Sequence, residues 1–341
     1  MPGFARGRRR GLYWYQTGLF PDFSKRKGDF SMSGFKYLFG PVPSRRLGAS
    51  LGVSPIPERT CNYSCVYCQL GRTLRMTNSR QEFFPLDEIL DEFREYLRGS
   101  IPFDVVTIVG EGEPTLYSRL GELVSGLKAL TDKPVAIITN GALLSDPGLR
   151  RELLEADIVL PSLDAVNEEQ FRKIDRPMGS ISFDAMTEGL RAFSREYTGQ
   201  LWIEIMLVDG MNDSPADLDA FKRFLGTLHY DRVYINTPVR PPAEGFVHTS
   251  APERVDAFAR ELGGISIDRL TSGSFFSEVD DPYEAILSIA RRHPMNQFEV
   301  ESFLEAREIP AADRLALRSR LEQDSRISVI SYKGILTYRV N

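Results

Sequence analysis

From Pro85 onward the chain alternates between two hydrophobic rhythms. Residues 86–97 place Leu86, Ile89, Leu90, Phe93 and Leu97 at the spacing of an amphipathic helix. Residues 104–109 are a short apolar run with β-branched side chains, which predicts a buried strand. The pair then recurs. Helical spacing over 120–130, 147–154, 183–193 and 215–228 alternates with strand-like runs over 134–138, 158–160, 201–208 and 232–235. With 50–53 as the first strand there are six β/α units. Such alternation predicts an α/β fold whose parallel sheet has right-handed crossovers. Six units predict an open, partial (β/α)6 barrel over residues 32–245.

The pattern changes towards the C-terminus. Residues 246–280 read as a mixed connector with one helix at 252–262. Helical spacing follows at 283–291, 298–306 and 313–321, with Asp313 expected as an N-cap. Two strand-like runs then flank Lys333-Gly334, a two-residue hairpin loop. Three helices and a hairpin predict a small winged-helix-like unit over 281–341. Before the first strand, Pro41 and Pro43 predict irregular chain at 39–48, where Arg45 and Arg46 could hold a substrate phosphate or carboxylate.

Polar residues gather after the predicted strands. In chain order these are the cysteine loop, Gly110-Glu-Gly-Glu-Pro114, Thr139-Asn-Gly141, Ser162-Leu-Asp164, Asp209-Gly-Met-Asn212 and Asn236-Thr-Pro-Val-Arg240. All fall on the C-terminal ends of the strands, the face where β/α barrels build active sites. Glu204 is a charge inside an apolar strand, so it should face the barrel interior with a partner or ligand. Asp164 could instead cap the helix that follows, Ile174-Asp-Arg-Pro177 should fix a loop near the site, and Asn236 and Arg240 lie where a substrate would enter.

The cysteine loop is Cys61-Asn-Tyr-Ser-Cys65-Val-Tyr-Cys68, and it holds all three cysteines of the chain. Three thiolates this close can grip one metal centre. A structural zinc needs a fourth ligand, and His229, His248 and His293 match no zinc spacing. A ferredoxin run needs a fourth cysteine. A disulfide fits poorly with an odd number of cysteines. A four-iron cluster held by three thiolates keeps one iron open for catalysis.

The C-x3-C-x2-C spacing with Tyr67 before the last cysteine resembles the radical S-adenosylmethionine (SAM) superfamily. The resemblance implies a [4Fe–4S] cluster on Cys61, Cys65 and Cys68, with SAM chelated at the open iron. It also implies reductive cleavage of SAM to a 5′-deoxyadenosyl radical that takes a hydrogen atom from a substrate. Gly110-Glu-Gly-Glu-Pro-Thr resembles the superfamily's GGE-type motif, which assigns Gly112 and Glu113 to the SAM amino group. Glu111 stands where many members carry glycine. Thr139, Asn140, Ser162 and Asp164 are implied at the SAM site by their strand ends, beside Tyr67 and Glu204. Residues 39–73 with the GEGEPTL, TNG and SLDA motifs are most similar to uncharacterised members grouped with tRNA wyosine-synthase-like proteins. Wyosine synthases carry extra cysteines for a second cluster, and this chain has none, so their reaction is not transferred.

Composition narrows the classes further. A hydrophobic content of 42% supports a real core, and no stretch reaches the roughly 18 apolar residues of a membrane span. A net charge of −5 argues against general nucleic-acid binding. Exposed cluster cysteines suit a reducing compartment, hence the cytoplasm. Residues 1–31 hold seven basic residues against two acidic ones without apolar periodicity, and read as a disordered extension or a basic RNA arm. Residues 281–341 carry nine of each sign, with Arg314, Arg318 and Arg320 as a modest basic face, so contact with nucleic acid or with protein is open to them. The expected partners are an unidentified substrate, RNA or peptide, and an electron donor such as flavodoxin or ferredoxin. Two rival classes remain: a nucleic-acid-binding regulator with a redox-sensing cluster, and a scaffold with a structural metal.

Overall fold

A computed structural model describes residues 35–99, 101–267, 275–277 and 279–341. The extension expected at 1–31 and part of the 246–280 connector lie outside the described residues.

All six predicted strands form. They are β2 (Gly48–Val53), β3 (Val105–Ile108), β4 (Val135–Thr139), β5 (Ile158–Pro161), β6 (Gln200–Met206) and β7 (Arg232–Asn236). They lie side by side in chain order and pair in parallel. A short β8 (Ile265–Ser266), not predicted, extends the parallel run beyond β7. The crossover helices are α1 (Leu86–Tyr96), α2 (Leu120–Leu130), α3 (Pro147–Leu153), α5 (Phe183–Glu196) and α6 (Pro215–Leu225), with an additional short α4 (Glu168–Ile174). Asn167 caps α4, accepting from the Gln170 amide, so Asp164 is not its cap.

Residues 39–48 are not irregular, as the prolines predict. Leu38–Ser44 form β1, antiparallel to β2 at the sheet edge, with a register irregularity between Phe39 and Val42 and a cis Gly40–Pro41 bond. An edge strand tolerates proline, because the missing N–H need not face a neighbour.

Side chains alternate across the sheet. Val106, Ile108, Val135, Ile137, Val159, Ile203 and Ile235 pack with the helices. Val105, Ala136, Ile158, Leu160, Trp202 and Tyr234 form a second buried cluster on the other face. The sheet is strongly curved. Arg46, in the turn before β2, forms an ion pair with Glu204 on β6, four strands away. In a flat sheet those strands would lie about 19 Å apart, beyond the reach of the pair. The curl stays open between β1 and β8.

The connector helix is α7 (Pro252–Glu261). Beyond it come α8 (Pro282–Arg292), α9 (Gln297–Ala306) and α10 (Ala311–Gln323). A three-stranded antiparallel sheet joins β9 (Met295–Asn296) to the hairpin β10 (Ile327–Tyr332) and β11 (Ile335–Val340). Lys333 and Gly334 both have positive φ, as the tight loop requires. Asp313 is not the N-cap of α10: the helix begins at Ala311 after Pro310, since the two alanines extend it backwards. Phe39 and Val42 of β1 share one core with Tyr283, Ile286, Phe303 and Tyr338, so these elements pack on the barrel's open edge. Among the described residues no helix is long and apolar enough to cross a membrane.

Candidate active site

Parallel strands place all their C-terminal ends on one edge, and the cysteine loop leaves β2 at that edge. It is fastened from three sides. The first fastening is Gly112. A Cβ there would lie 1.7 Å from the Thr60 carbonyl oxygen, so only glycine lets the GEGEP turn rest on the residue before Cys61. The Glu113 amide then donates to that carbonyl at 3.1 Å.

The second fastening is the TNG turn. Asn140 Nδ2 donates to buried Asn62 Oδ1 at 2.7 Å and lies 3.6 Å from Cys61 Sγ. The third is the IDRP segment. Its Asp175 and Ile174 carbonyls accept from the Ser64 and Val66 amides, and the Cys65 thiol meets Asp175 Oδ1 at 3.8 Å.

Glu113 ties the first two together. It is 2% exposed, and its carboxylate accepts from the Thr115 amide (3.0 Å) and hydroxyl (2.6 Å), the Thr139 hydroxyl (2.6 Å) and the Asn140 amide (2.8 Å). Three of these donors meet Oε1 and one meets Oε2. The side chain expected at the SAM amino group thus also braces two strand ends. Burial raises its pKa, while these hydrogen bonds oppose the rise.

Tyr67 and Asp164 also meet. The tyrosine hydroxyl donates to Asp164 Oδ2, and Oδ1 accepts the Met206 amide at 2.7 Å. Burial pushes Asp164 up to about 6 against those hydrogen bonds. Asp175 lies well above the usual carboxylate range through burial and then the charge of Asp164. Ser162 sits between the Thr139 and Glu204 strand ends, its amide donating to the Thr139 carbonyl. Glu204 faces inward, as predicted, and its partners are Arg46 and Asn236, whose Nδ2 lies at 3.3 Å.

Arg240 does not line an entrance. Its guanidinium makes two 2.9 Å bonds to Glu299 and also meets the Pro294 carbonyl and His293, so it holds the C-terminal elements to the end of β7. Glu111, in the GEGEP turn, reaches Arg292 of α8 at 3.4 Å with both groups buried. Arg314 is engaged by Glu301 and Glu305, and Arg320 lies over the Tyr283 ring, so the modest basic face is largely spent inside the chain.

The three cysteines are free and half-buried. Burial raises all three thiols, and for Cys65 the neighbouring Asp175, Cys61 and Cys68 add to the rise. The sulfurs are thus near enough to feel one another. Among the described residues no three His, Cys, Asp or Glu side chains are placed to hold a single metal ion. A cuboidal cluster binds each cysteine on a different iron and needs no such convergence. The Tyr63 amide, 3.4 Å from Cys61 Sγ, is a donor of the kind that tunes cluster sulfurs. The donor set fits a [4Fe–4S] cluster.

Sequence reasoning missed Asn62, Asp175 as a side chain, and Arg292. Asn62 and Asp175 lie inside the two segments singled out, the cysteine loop and Ile174-Asp-Arg-Pro177, but nothing in the spacing marked their side chains. Arg292 carried no signal in its helix.

The Radical SAM superfamily model matches residues 56–221. UPF0026 protein MJ1312 of Methanocaldococcus jannaschii is 33% identical over 311 residues, 89% of this chain and 95% of that protein. A Brachyspira hyodysenteriae protein named GTPase Obg is 44% identical over 205 residues, and the matched part spans 60% of this chain but only 30% of that protein. The crystal structure of a radical SAM methyltransferase from Sphaerobacter thermophilus aligns with 64% of this chain and 68% of its own, at 18% identity and TM-score 0.47. The chain belongs to the radical SAM superfamily, among its UPF0026 proteins, and its cofactors are a [4Fe–4S] cluster and SAM.

Proposed function

We propose that this protein is an enzyme that cleaves SAM reductively to modify a substrate yet to be identified, with RNA and peptides the first classes to try. The observation that carries the reading is the fastening of the cysteine loop by Gly112 and Asn140, from two strand ends, and by Asp175, at the C-terminal end of α4. A loop bearing inert cysteines has no need of it. A cluster that must present one open iron in a fixed direction does.

Cys61, Cys65 and Cys68 would hold the cluster. The chemistry it supplies with SAM bound is one-electron cleavage of the sulfonium to methionine and a 5′-deoxyadenosyl radical. Asn140, Ser162 and the backbone at Gly112 are the groups proposed to bind SAM. Glu113 and Thr139 hold Asn140 in place, and Asp164 fixes the Tyr67 ring beside Cys68. Glu204, neutralised by Arg46, lines the interior. Residues 32–245 act as the partial barrel, 246–280 as connector and 281–341 as a winged-helix-like unit that closes the barrel's open edge. The setting is the cytoplasm, with a flavodoxin or ferredoxin as reductant.

The test is anaerobic. The chain is reconstituted with iron and sulfide, then given SAM and dithionite, and 5′-deoxyadenosine is measured. Formation of 5′-deoxyadenosine, lost in Cys65→Ala, is the expected result. A reducible cluster that leaves SAM intact would replace this reading with redox sensing.

A further inference from the structure

We propose that Arg292, at the end of α8, is a positioning residue for SAM: through Glu111 it holds the turn whose Gly112 backbone binds the cofactor. The proposal rests on the SAM-binding role given above to Gly112.

Gly112 lies between two carboxylates that are anchored in different directions. Glu113, on one side, is tied into the end of β4 by Thr139 and Asn140. Glu111, on the other, reaches out of the barrel to Arg292, with Oε2 3.4 Å from Nε. Arg292 is itself held. Its Nη2 donates to the Lys36 carbonyl at 2.8 Å, and its guanidinium lies over the Phe39 ring, 5.3 Å from the centroid. Its helix is fixed in the core by buried Tyr283, Ile286 and Ile289. Val109, at the start of the turn, packs against that same core. The C-terminal elements therefore grip the turn by one charge and one apolar contact.

Stability does not account for the pair. Its side chains are 7% and 9% exposed, and Glu111 Oε1 and Arg292 Nε are buried without hydrogen-bond partners. Burial pushes the Glu111 carboxyl up and the Arg292 guanidinium down, against their mutual attraction. A buried ion pair with unmet atoms is worth no more than apolar side chains of the same volume. What two charges supply and an apolar contact does not is a fixed direction. A turn anchored only at Glu113 would be free to pivot there, and the Gly112 peptide would turn with it. With Glu111 fixed as well, the peptide is held at both ends.

The test compares Arg292→Met, the double variant Glu111→Leu/Arg292→Met and, as control, Arg314→Ala, whose partners Glu301 and Glu305 lie in the same C-terminal elements. SAM affinity is measured by equilibrium dialysis on the reconstituted, oxidised full chain, where no cleavage occurs. Stability is read by urea titration. Amide exchange over 110–116 is read by mass spectrometry without the cluster. Arg292→Met should lower the unfolding midpoint, because it strands a buried carboxylate, and the double variant should restore the midpoint. Both should bind SAM about tenfold more weakly, the worth of one hydrogen bond to a charged group. Both should also exchange faster over 110–116. Arg314→Ala should match wild type in SAM affinity and in exchange over that segment. The proposal is overturned if Arg292→Met binds SAM as wild type does, if the double variant recovers SAM affinity along with stability or recovers neither, or if Arg314→Ala weakens SAM binding equally. Failure of the cluster-loaded wild type to bind SAM would refute the proposed function and this proposal with it, whereas normal wild-type binding matched by the double variant would refute this proposal alone.

Discussion

Gly112→Ala should separate a packing glycine from an ordinary turn glycine. The added Cβ would lie 1.7 Å from the Thr60 carbonyl oxygen, 2.7 Å from its carbon and 2.9 Å from Ile56 Cγ2. Ordinary contact begins near 3.4 Å, so the turn and the cysteine loop must part by about 1.7 Å. Two of the three obstructing atoms are backbone, which no rotamer change can move. Parting them also stretches the Glu113–Thr60 hydrogen bond. Overpacking of this kind costs about 1–3 kcal/mol, and the lost bond adds about 1 kcal/mol. At a urea slope of about 3 kcal/mol/M, a loss of 3 kcal/mol lowers the unfolding midpoint by about 1 M. Gly110→Ala is the internal control, because its Cβ would come no closer than 3.2 Å to Ser54 Oγ, 3.5 Å to Ile56 Cβ and 3.6 Å to the Gly112 nitrogen. Urea titration of both variants, with iron content after reconstitution, is the assay. Gly112→Ala should lose stability and iron together, and Gly110→Ala should lose little of either. Equal behaviour of the two would refute the close-approach argument.

Other perturbations have equally definite outcomes. Glu113→Gln leaves one oxygen for the three donors at Oε1 but turns an NH2 towards the Asn140 amide, so stability should fall by about 2 kcal/mol and Glu113→Ala should cost more, both read by urea titration. Arg240→Ala or Glu299→Ala leaves a partly buried charge unpaired, with 14% and 22% side-chain exposure. Each should cost about 2 kcal/mol and speed proteolysis after residue 240, while the double variant should cost less than the sum. Hydrogen bonds from Arg326 and Tyr283 hold Asp324 below the ordinary aspartate range. The unfolded chain therefore binds this proton first as pH falls below about 4, and stability drops through that window. Asp324→Asn should flatten that limb of a pH–stability profile.

The barrel was legible because a buried parallel strand must be apolar on both faces. Residues 105–108 and 158–161 left no other reading. β1 was hidden by its prolines, which an edge strand accommodates and an inner strand does not. α4 was hidden by its seven-residue length, too short for a clear period. The strand ends pointed to Asn140 and Asp164, but their partners come from loops whose approach no periodicity encodes. Arg240 shows the limit most plainly. Its place after β7 predicted contact with substrate, and its real partner, Glu299, lies 59 residues away in a helix whose start it also caps.

The central claim is that SAM meets an open iron on a cluster held by Cys61, Cys65 and Cys68. Low-temperature electron paramagnetic resonance of the dithionite-reduced, reconstituted protein tests it most directly. The reduced cluster's signal should change on adding SAM and disappear in Cys65→Ala. A signal indifferent to SAM, or a chain that takes up zinc in place of iron, would contradict the account.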